Sequence, residues 1–357
     1  MLKTLGCLSS LFISACVFAQ TVPATYHALQ YEGRNSKDYN SGTVQINWPG
    51  TTLKTRFVGS KLTVDIIGNG DHFDVLNNGQ LTNKIITNKG GAKQTFVLFE
   101  SEESQSVLVE VVKRTENYEA MTKIVSVEHD GYLEGTWSNQ PHILFIGDSI
   151  SAGFGSESTK RDCTWEEVYS SSNARLAFPY QTGQELNASI TQLSFSGLGL
   201  IRNWNGNQSY HDLTYYADKA GAIYGQKLDF EDKYPDLIVV EVGTNDFSTD
   251  PQPHEPWADI DEVKVAWVDR MVEFVSDLKY RYNTANVILM PRPAYPYDYI
   301  IPATNEAIEI LNSQGQKGIY SHIFTSPLKG CIWHPTTKEH KSIAKELSHF
   351  IHANQLL

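Results

Sequence analysis

The first part of the chain consists of short runs in which apolar and polar residues alternate. The runs are separated by Gly, Pro, Asn and Asp and lie at residues 42–48, 55–58, 61–67, 73–76, 94–99 and 106–113. A period of two is typical of strands that bury one face, and turn residues about every 8–12 positions favour an all-β sandwich. The pattern therefore predicts an N-terminal β-sandwich domain over residues 20–137.

The pattern changes after residue 137, where continuous apolar runs replace the alternating ones. These runs lie at residues 142–146, 190–195, 237–242 and 286–290. An apolar run without alternation is typical of a parallel strand that is buried on both faces. The segments between the runs have helical periodicity, and Thr336 and Glu339 have the spacing of a capping box at the start of the last helix. We therefore predict an α/β/α domain with a mostly parallel sheet over residues 141–357.

The composition is that of a folded protein with an acidic balance. Of the 357 residues, 41% are hydrophobic and 20% are charged, which is enough apolar surface for a sizeable core. The chain has 41 acidic side chains against 29 Lys and Arg, so its formal net charge is −12 at pH 7. This charge argues against a nucleic acid as partner, because the phosphate backbone attracts basic surfaces.

Residues 1–19 are predicted to be a secretory signal peptide. Lys3 precedes an apolar run at residues 5–15 that is too short to span a bilayer, and small residues precede a cleavage point after Ala19. The alternative is a lipoprotein signal, in which Cys16 is lipidated and anchors the protein to a membrane. In both cases we expect export. With ordinary cleavage the protein is secreted or periplasmic, and no later segment has the ~20 apolar residues of a membrane span.

Small and polar residues follow the predicted parallel strands at the points where the strands end. Ser149 follows the first strand, Gly197 the second and Asn245 the third, and His334 lies just before the last helix. Because ligands bind at the carboxyl ends of the strands in open α/β sheets, we expect these residues to share one edge. Ser149 then serves as nucleophile and His334 as general base. The backbone N–H groups of Ser149 and Gly197 and the side-chain amide of Asn245 are the predicted oxyanion-hole donors.

Each of these short motifs has a second interpretation. Gly-Asp-Ser recurs by chance, the turn around Asn245 is also a polar loop, and a lone histidine near a helix start is more often a capping or packing residue. The combination favours the hydrolase, because the right residue types occur in the right order and each lies at the end of a strand or the start of a helix.

The same residues resemble the SGNH (GDSL) hydrolase superfamily. Its four blocks correspond to residues 147–149, Gly197, residues 243–245 and His334. The surrounding residues 145–155, 196–203 and 333–335 are most similar to carbohydrate esterase family 2, which also has an N-terminal β-sandwich of jelly-roll type. The resemblance implies an exported serine esterase without metal or other cofactor, which removes O-acetyl groups from plant polysaccharides such as xylan or glucomannan.

Two other functions remain open at this point. One is a carbohydrate-binding protein whose hydrolase-like domain is inactive, and the other is an SGNH lipase or thioesterase. The expected partner of the esterase is an acetylated polysaccharide or oligosaccharide, and Trp333 and Trp204 are the candidate sugar contacts because they adjoin the predicted base and the Gly197 loop.

One element of the SGNH pattern is missing. Members often carry an Asp two or three residues before the histidine, but here these positions are Ile332 and Cys331. We therefore expect a dyad of Ser149 and His334, with a backbone carbonyl or an acid from elsewhere orienting the imidazole. Export permits a disulfide between Cys331 and Cys163, which would tie the two catalytic segments together; the alternative is two buried thiols.

Overall fold

The computed structural model describes residues 19–208 and 211–357. The predicted signal peptide, apart from Ala19, lies outside the described residues, and so does Cys16. No helix in these two segments has the length and apolar composition needed to cross a membrane.

Within the described residues, the first domain is a sheet of ten strands whose neighbours pair antiparallel. The strands are β1 (Gln20–Pro23), β2 (Gln30–Glu32), β3 (Ser36–Asp38), β4 (Thr43–Ile46), β5 (Thr52–Ile67), β6 (His72–Asn77), β7 (Gln80–Ile86), β8 (Lys93–Lys113), β9 (Thr122–His129) and β10 (Tyr132–Glu134). The main path runs β3-β4-β9-β5-β8-β6-β7, with β1 on β9 and with β2 and β10 on β5. The N-terminal β domain is thus present, whereas the jelly-roll arrangement stays a prediction.

The two longest strands correct the predicted strand boundaries. Residues 55–58 and 61–67 belong to the single strand β5, and residues 94–99 and 106–113 belong to β8. The register between β5 and β8 shifts next to Gly59, so this glycine lies at a bulge and does not end the strand. A bulge and a turn have the same local residue preferences, and the cross-strand pairing decides between them.

The second domain is a parallel five-stranded sheet with the order β12-β11-β13-β14-β15. The strands are β11 (His142–Gly147), β12 (Ser189–Ser194), β13 (Leu237–Glu241), β14 (Asn286–Leu289) and β15 (Ile319–Ser321). The helices are α1 (Ser149–Ala152), α2 (Trp165–Ser171), α3 (Phe178–Glu185), α4 (Leu213–Tyr216), α5 (Thr244–Phe247), α6 (Ile260–Arg281), α7 (Ile300–Ser313) and α8 (Thr337–Ala353). Strands β11, β12 and β13 are buried along their whole length, which confirms the predicted parallel sheet.

Helices cover both faces of this sheet. One hydrophobic cluster joins the sheet to α6 and α7, and a second cluster joins it to α3 and α8. Helix α6 begins where the Asp259 side chain accepts the N–H groups of Asp261 and Glu262, and its apolar stripe, which includes Trp267, is buried. Helix α8 begins with the predicted capping box of Thr336 and Glu339.

The two domains share buried contacts. Arg34, from the first domain, is 1% exposed and donates hydrogen bonds to the carboxylate of Asp232 and to the carbonyl oxygens of Ala217 and Lys219. A buried guanidinium needs this complete set of acceptors, since an unpaired buried charge is strongly destabilising. The hydrogen-bond acceptors of the Arg34 guanidinium therefore come from the second domain.

An apolar contact crosses the same boundary. The indole of Trp48 is fully buried and belongs to the hydrophobic cluster of the second domain, where it meets Phe195 edge-on with 5.8 Å between ring centroids. Phe195 directly follows β12 and lies just before the Gly197 loop. The first domain thus packs directly behind the predicted site.

Candidate active site

Ser149 is presented by a tight turn between β11 and α1. The Asp148 side chain caps α1 by accepting the N–H of Ile150 at 2.9 Å, and Ser149 is the first residue of the helix. Gly147 is required at the start of the turn, because a Cβ there would lie 2.0 Å from the hydroxyl oxygen of Ser151. Ser151 in turn donates to the buried carboxyl group of Glu241 at 2.6 Å. The turn is therefore held from below by buried polar contacts.

His334 lies at the end of a strained turn that precedes α8. Ile332 and Trp333 have φ values of 46° and 59°, in the left-handed region that side-chain-bearing residues rarely adopt. Such conformations cost about 1–3 kcal/mol each and concentrate at functional sites. The turn is closed by a hydrogen bond from the N–H of Gly330 to the carbonyl oxygen of His334, at 2.8 Å.

The structure brings Ser149 and His334 into direct contact. The distance between Ser149 Oγ and His334 Nε2 is 2.7 Å. The other ring nitrogen, Nδ1, lies 2.8 Å from the carbonyl oxygen of Ile332 and 3.1 Å from that of Cys331. Carbonyl oxygens only accept, so Nδ1 carries the proton and Nε2 accepts the proton of the serine hydroxyl. Backbone carbonyls of the strained turn occupy the place where an orienting acid would stand.

The predicted disulfide between Cys163 and Cys331 is present, with an S–S distance of 2.01 Å and a sequence separation of 168 residues. It joins the segment after the Ser149 helix to the turn that carries His334. Gly155 lies against this bridge, where a Cβ would come within 2.6 Å of the Cβ of Cys331. The N–H of Ile332 also donates to the carbonyl oxygen of Arg161 at 2.8 Å, so the turn is fixed to the same segment by two links.

The loop after β12 leaves one N–H group for a ligand. In residues 196–202, every backbone N–H except that of Gly197 has a recorded acceptor within the described part of the chain. The pairs are Ser196 with Glu116, Leu198 with Phe195, Gly199 with Asn203, and Leu200, Ile201 and Arg202 with the Asp246 carboxylate. Gly197 has φ +79°, and a Cβ there would meet nothing within 4 Å, so the loop is open beside the Cα of the residue whose N–H lacks a recorded acceptor in the described segments. This is what an oxyanion donor requires.

Asn245 and Ser149 provide the other predicted donors. Asn245 is buried in α5 and uses one amide hydrogen to bond the carbonyl oxygen of Leu198 at 2.8 Å, which leaves its second hydrogen available. Among the described residues, the N–H of Ser149 has no recorded acceptor. The three donors follow the adjacent parallel strands β12, β11 and β13 and therefore lie at one sheet edge.

Two buried carboxyl groups, those of Asp148 and Glu241, lie beneath this end of the sheet, and their ionisation is disfavoured. Burial raises the pKa of Glu241 well above its usual value, and it raises the pKa of Asp148 to about 6. The like charge of Asp148 also opposes the ionisation of Glu241. Because burial disfavours the ionised form of Glu241, it also disfavours negative charge behind the position where an oxyanion would form.

The state of His334 leads to a prediction about pH. Desolvation lowers the pKa of the imidazole to about 4, although the carbonyls of Ile332 and Cys331 favour the charged ring. A general base must be neutral, so its activity is present above this pKa and is lost as the pH falls through it. We expect kcat/KM for an aryl acetate to fall by half near pH 4. A midpoint near 6.5, the ordinary histidine value, would contradict this assignment. Samples held at each pH and assayed again at pH 7 control for unfolding.

Exposed aromatic side chains surround the dyad. Trp333 is 62% exposed and stacks on the guanidinium of Arg161 at 3.7 Å, while Phe154 packs on the His334 ring with centroids 4.6 Å apart. Trp165 was not predicted from the sequence; it is 74% exposed and lies 6.4 Å from the Phe154 ring. The sequence feature that could have indicated it is a repeated spacing. Trp165 lies two residues after Cys163, just as Trp333 lies two residues after Cys331.

Trp204, the other predicted sugar contact, adjoins the oxyanion loop. Its backbone N–H donates to the carbonyl oxygen of Gly197 at 2.9 Å, and its side chain is about half exposed. The structure thus links Trp204 to the Gly197 loop through the backbone and leaves the indole accessible to a ligand.

Comparison with known protein families shows which family the chain belongs to. The sequence model of the GDSL-like lipase/acylhydrolase family matches residues 143–347, which is more than half of the chain. The chain belongs to this family and is a carboxylic ester hydrolase. The model of the carbohydrate esterase 2 N-terminal domain matches residues 31–133. With both matches, the chain has the two-domain architecture of carbohydrate esterase family 2.

Individual relatives span nearly the whole chain. An acetylxylan esterase/glucomannan deacetylase from Cellvibrio japonicus is 25% identical over 352 residues, which are 96% of this chain and 95% of the relative. The structure of a family two carbohydrate esterase from the same organism has a TM-score of 0.79 and 22% identity, covering 94% of this chain and 98% of that one. A family two carbohydrate esterase from Clostridium thermocellum in complex with cellohexaose has a TM-score of 0.79 and 22% identity, covering 92% and 99%.

Proposed function

We propose that the protein is an exported serine esterase that removes O-acetyl groups from plant polysaccharides of the xylan and glucomannan type. Ser149 is the nucleophile and His334 the general base. The observation that carries the proposal is the 2.7 Å contact between Ser149 Oγ and His334 Nε2, with Nδ1 held by backbone carbonyls. Within residues 19–208 and 211–357, the hydrogen bond recorded for the Ser149 hydroxyl is the one to His334, which leaves its oxygen free to react with a carbonyl carbon.

The reaction follows from this arrangement in two steps. Ser149 Oγ attacks the acetyl carbonyl carbon while its proton passes to His334 Nε2, and the carbonyl oxygen becomes an oxyanion near the donors of Ser149, Gly197 and Asn245. The bond to the sugar oxygen then breaks, and that oxygen leaves with the proton from His334. Water attacks the acetyl-serine, His334 takes the water proton and returns it to Ser149 Oγ, and acetic acid is released.

Sugar recognition is assigned to the exposed aromatic rings around the dyad. Trp333, Trp165 and Trp204 present broad apolar faces at the surface, and aromatic faces pack well against the C–H faces of pyranose rings. The names of the Cellvibrio japonicus relatives, acetylxylan esterase/glucomannan deacetylase, favour the same substrate class.

Export is supported by the disulfide, because such bonds persist in oxidising compartments and are rare in the cytosol. The signal peptide with cleavage after Ala19, and its alternative with lipid on Cys16, are both compatible with this. The mass of the mature protein distinguishes them.

A substrate panel tests the proposed activity. The purified mature protein is expected to release acetate from acetylated xylan and acetylated glucomannan. We also expect kcat/KM for an aryl acetate to exceed that for an aryl palmitate by about 100-fold or more, because a palmitoyl chain does not fit a site suited to an acetyl group. Faster cleavage of the palmitate or of an acyl thioester would indicate a lipase or thioesterase. Binding of polysaccharide without any turnover would indicate the inactive carbohydrate-binding protein.

A further inference from the structure

The first domain reaches into the site through the loop between β8 and β9, residues 114–121. Two side chains of this β8–β9 loop bond Ser196, the residue before Gly197. The Tyr118 hydroxyl donates to the carbonyl oxygen of Ser196. The Glu116 carboxylate accepts the backbone N–H of Ser196 and also its hydroxyl, the latter at 2.6 Å. Both polar groups of the Ser196 backbone are thus held by the N-terminal domain.

The bond from Tyr118 acts on the oxyanion donor itself. The carbonyl of Ser196 and the N–H of Gly197 belong to one planar peptide unit, so a bond that fixes the carbonyl also fixes the direction of the N–H. Glycine has no Cβ to restrict the rotation of this unit, and Gly197 lies in the left-handed region, so the loop alone holds the peptide weakly. A hydrogen bond to the carbonyl also polarises the unit and strengthens its N–H as a donor.

The β8–β9 loop is rigid enough to serve as this support. At its base, the ammonium group of Lys113 bonds the Asp71 carboxylate and the carbonyl oxygen of Thr115, each at 2.6 Å, and the Lys113 and Asp71 side chains are fully buried. Within it, the side-chain oxygen of Asn117 accepts the N–H of Glu119 at 2.9 Å and its amide bonds Asp71 at 3.1 Å. These contacts fix the loop on its own domain.

The Tyr118 ring is fixed as well. It meets Phe195 edge-on, with 4.2 Å between centroids, while its outer side is exposed and the whole residue is 41% exposed. Phe195 is fully buried and directly precedes Ser196. The ring is therefore held by packing, which leaves its hydroxyl directed at the Ser196 carbonyl.

The Glu116 carboxylate bonds both the backbone and the side chain of Ser196. Within the described residues, the recorded hydrogen bonds of this carboxylate go only to the N–H and hydroxyl of Ser196. Desolvation raises its pKa to about 7, and the charged groups that act on it are Lys113, which favours ionisation, and Asp148, which opposes it. The hydroxyls of Tyr118 and Tyr169 are the other titratable groups beside it.

We propose that Tyr118 and Glu116 are positioning residues for the oxyanion hole, through which the N-terminal domain sets the direction of the Gly197 N–H. The inference rests on the proposed function, because it assigns Gly197 as an oxyanion donor. On this view the first domain completes the active site in addition to any contact it makes with sugar.

The test compares two tyrosine variants that lose the same atom. Tyr118→Phe keeps the ring on Phe195 but removes the bond to Ser196, and we expect kcat for an aryl acetate to fall about 10- to 100-fold with KM changed less than about threefold. The matched control is Tyr31→Phe. The Tyr31 hydroxyl donates to the carbonyl oxygen of Ala24 at 3.0 Å, within the first domain and outside the β8–β9 loop. We expect this variant to keep the wild-type kcat.

Glu116 gives an independent comparison. Glu116→Ala removes both acceptors and is expected to lower kcat about 10-fold or more, whereas Glu116→Gln keeps a carbonyl oxygen for the Ser196 N–H and is expected to restore most of it. Wild-type kcat in Tyr118→Phe, or equal losses in Tyr118→Phe and Tyr31→Phe, would overturn the inference. A wild-type protein without esterase activity would instead overturn the proposed function, so the two failures are distinguishable.

Discussion

Replacing Ser149 by alanine is expected to lower kcat for acetate release by about 10⁴- to 10⁶-fold, the range seen when a serine hydrolase loses its nucleophile. Without Oγ no acyl-enzyme forms, and only the oxyanion donors and substrate binding remain. In the described part of the chain, the hydrogen bond of this hydroxyl is the one to His334, so we expect its loss to leave the rest of the fold unchanged. Acetate release and the thermal unfolding midpoint are measured on the same preparation.

Ser151 provides the matched control for this variant. Its hydroxyl lies in the same helical turn but donates to the buried carboxyl of Glu241. Ser151→Ala leaves that group without its donor and is expected to lower the free energy of unfolding by about 1–3 kcal/mol while keeping the nucleophile. Comparing the two variants therefore distinguishes a loss of catalysis from a loss of stability. If Ser149→Ala retained more than about a hundredth of the wild-type kcat, Ser149 would not be the nucleophile.

Replacing His334 by alanine is expected to lower kcat by about 10⁴-fold, because the serine hydroxyl then has no base to take its proton. The truncated side chain leaves space between Phe154 and Ser149 at the exposed edge of the site. Added imidazole is therefore expected to restore part of the activity in a concentration-dependent way, measured with an aryl acetate.

His322 is the control for the histidine variant. It is a partly buried histidine whose ring packs on Phe350, with centroids 4.7 Å apart, and it does not contact Ser149. His322→Ala is expected to keep the wild-type kcat and to show no response to imidazole. A His334→Ala enzyme within about tenfold of wild type would mean that another group serves as the base.

The parallel domain could be predicted from the sequence because its signals are local. Continuous apolar runs mark strands that are buried on both faces, and the capping box of Thr336 and Glu339 marks a helix start without reference to the rest of the chain. Long strands such as β5 could not be predicted in the same way. Whether Gly59 ends a strand or lies at a bulge depends on its pairing with β8, which is distant in sequence.

The candidate site could be predicted only where its residues follow from local sequence patterns. The pairing of Ser149 with His334 follows from their positions at strand and helix ends, since those ends meet at one edge of the sheet. The sequence left open whether a backbone carbonyl or an acid from elsewhere orients the imidazole. The carbonyl contacts depend on a left-handed backbone conformation at Ile332, which a β-branched residue disfavours, so they could not be predicted. Tyr118 could not be found from the sequence at all, since its partner comes from the other domain.

Trp48 limits how far the two halves are interchangeable. Two separate family models match the two domains, which suggests parts that recombination could combine freely. Yet this indole from the first half is fully buried in the hydrophobic cluster of the second, against Phe195. A gene fusion that carried only the second half into another protein would expose Phe195 to water and discard the support of Ser196. The two domains therefore form one structural unit, although both residues of the proposed dyad come from the second domain.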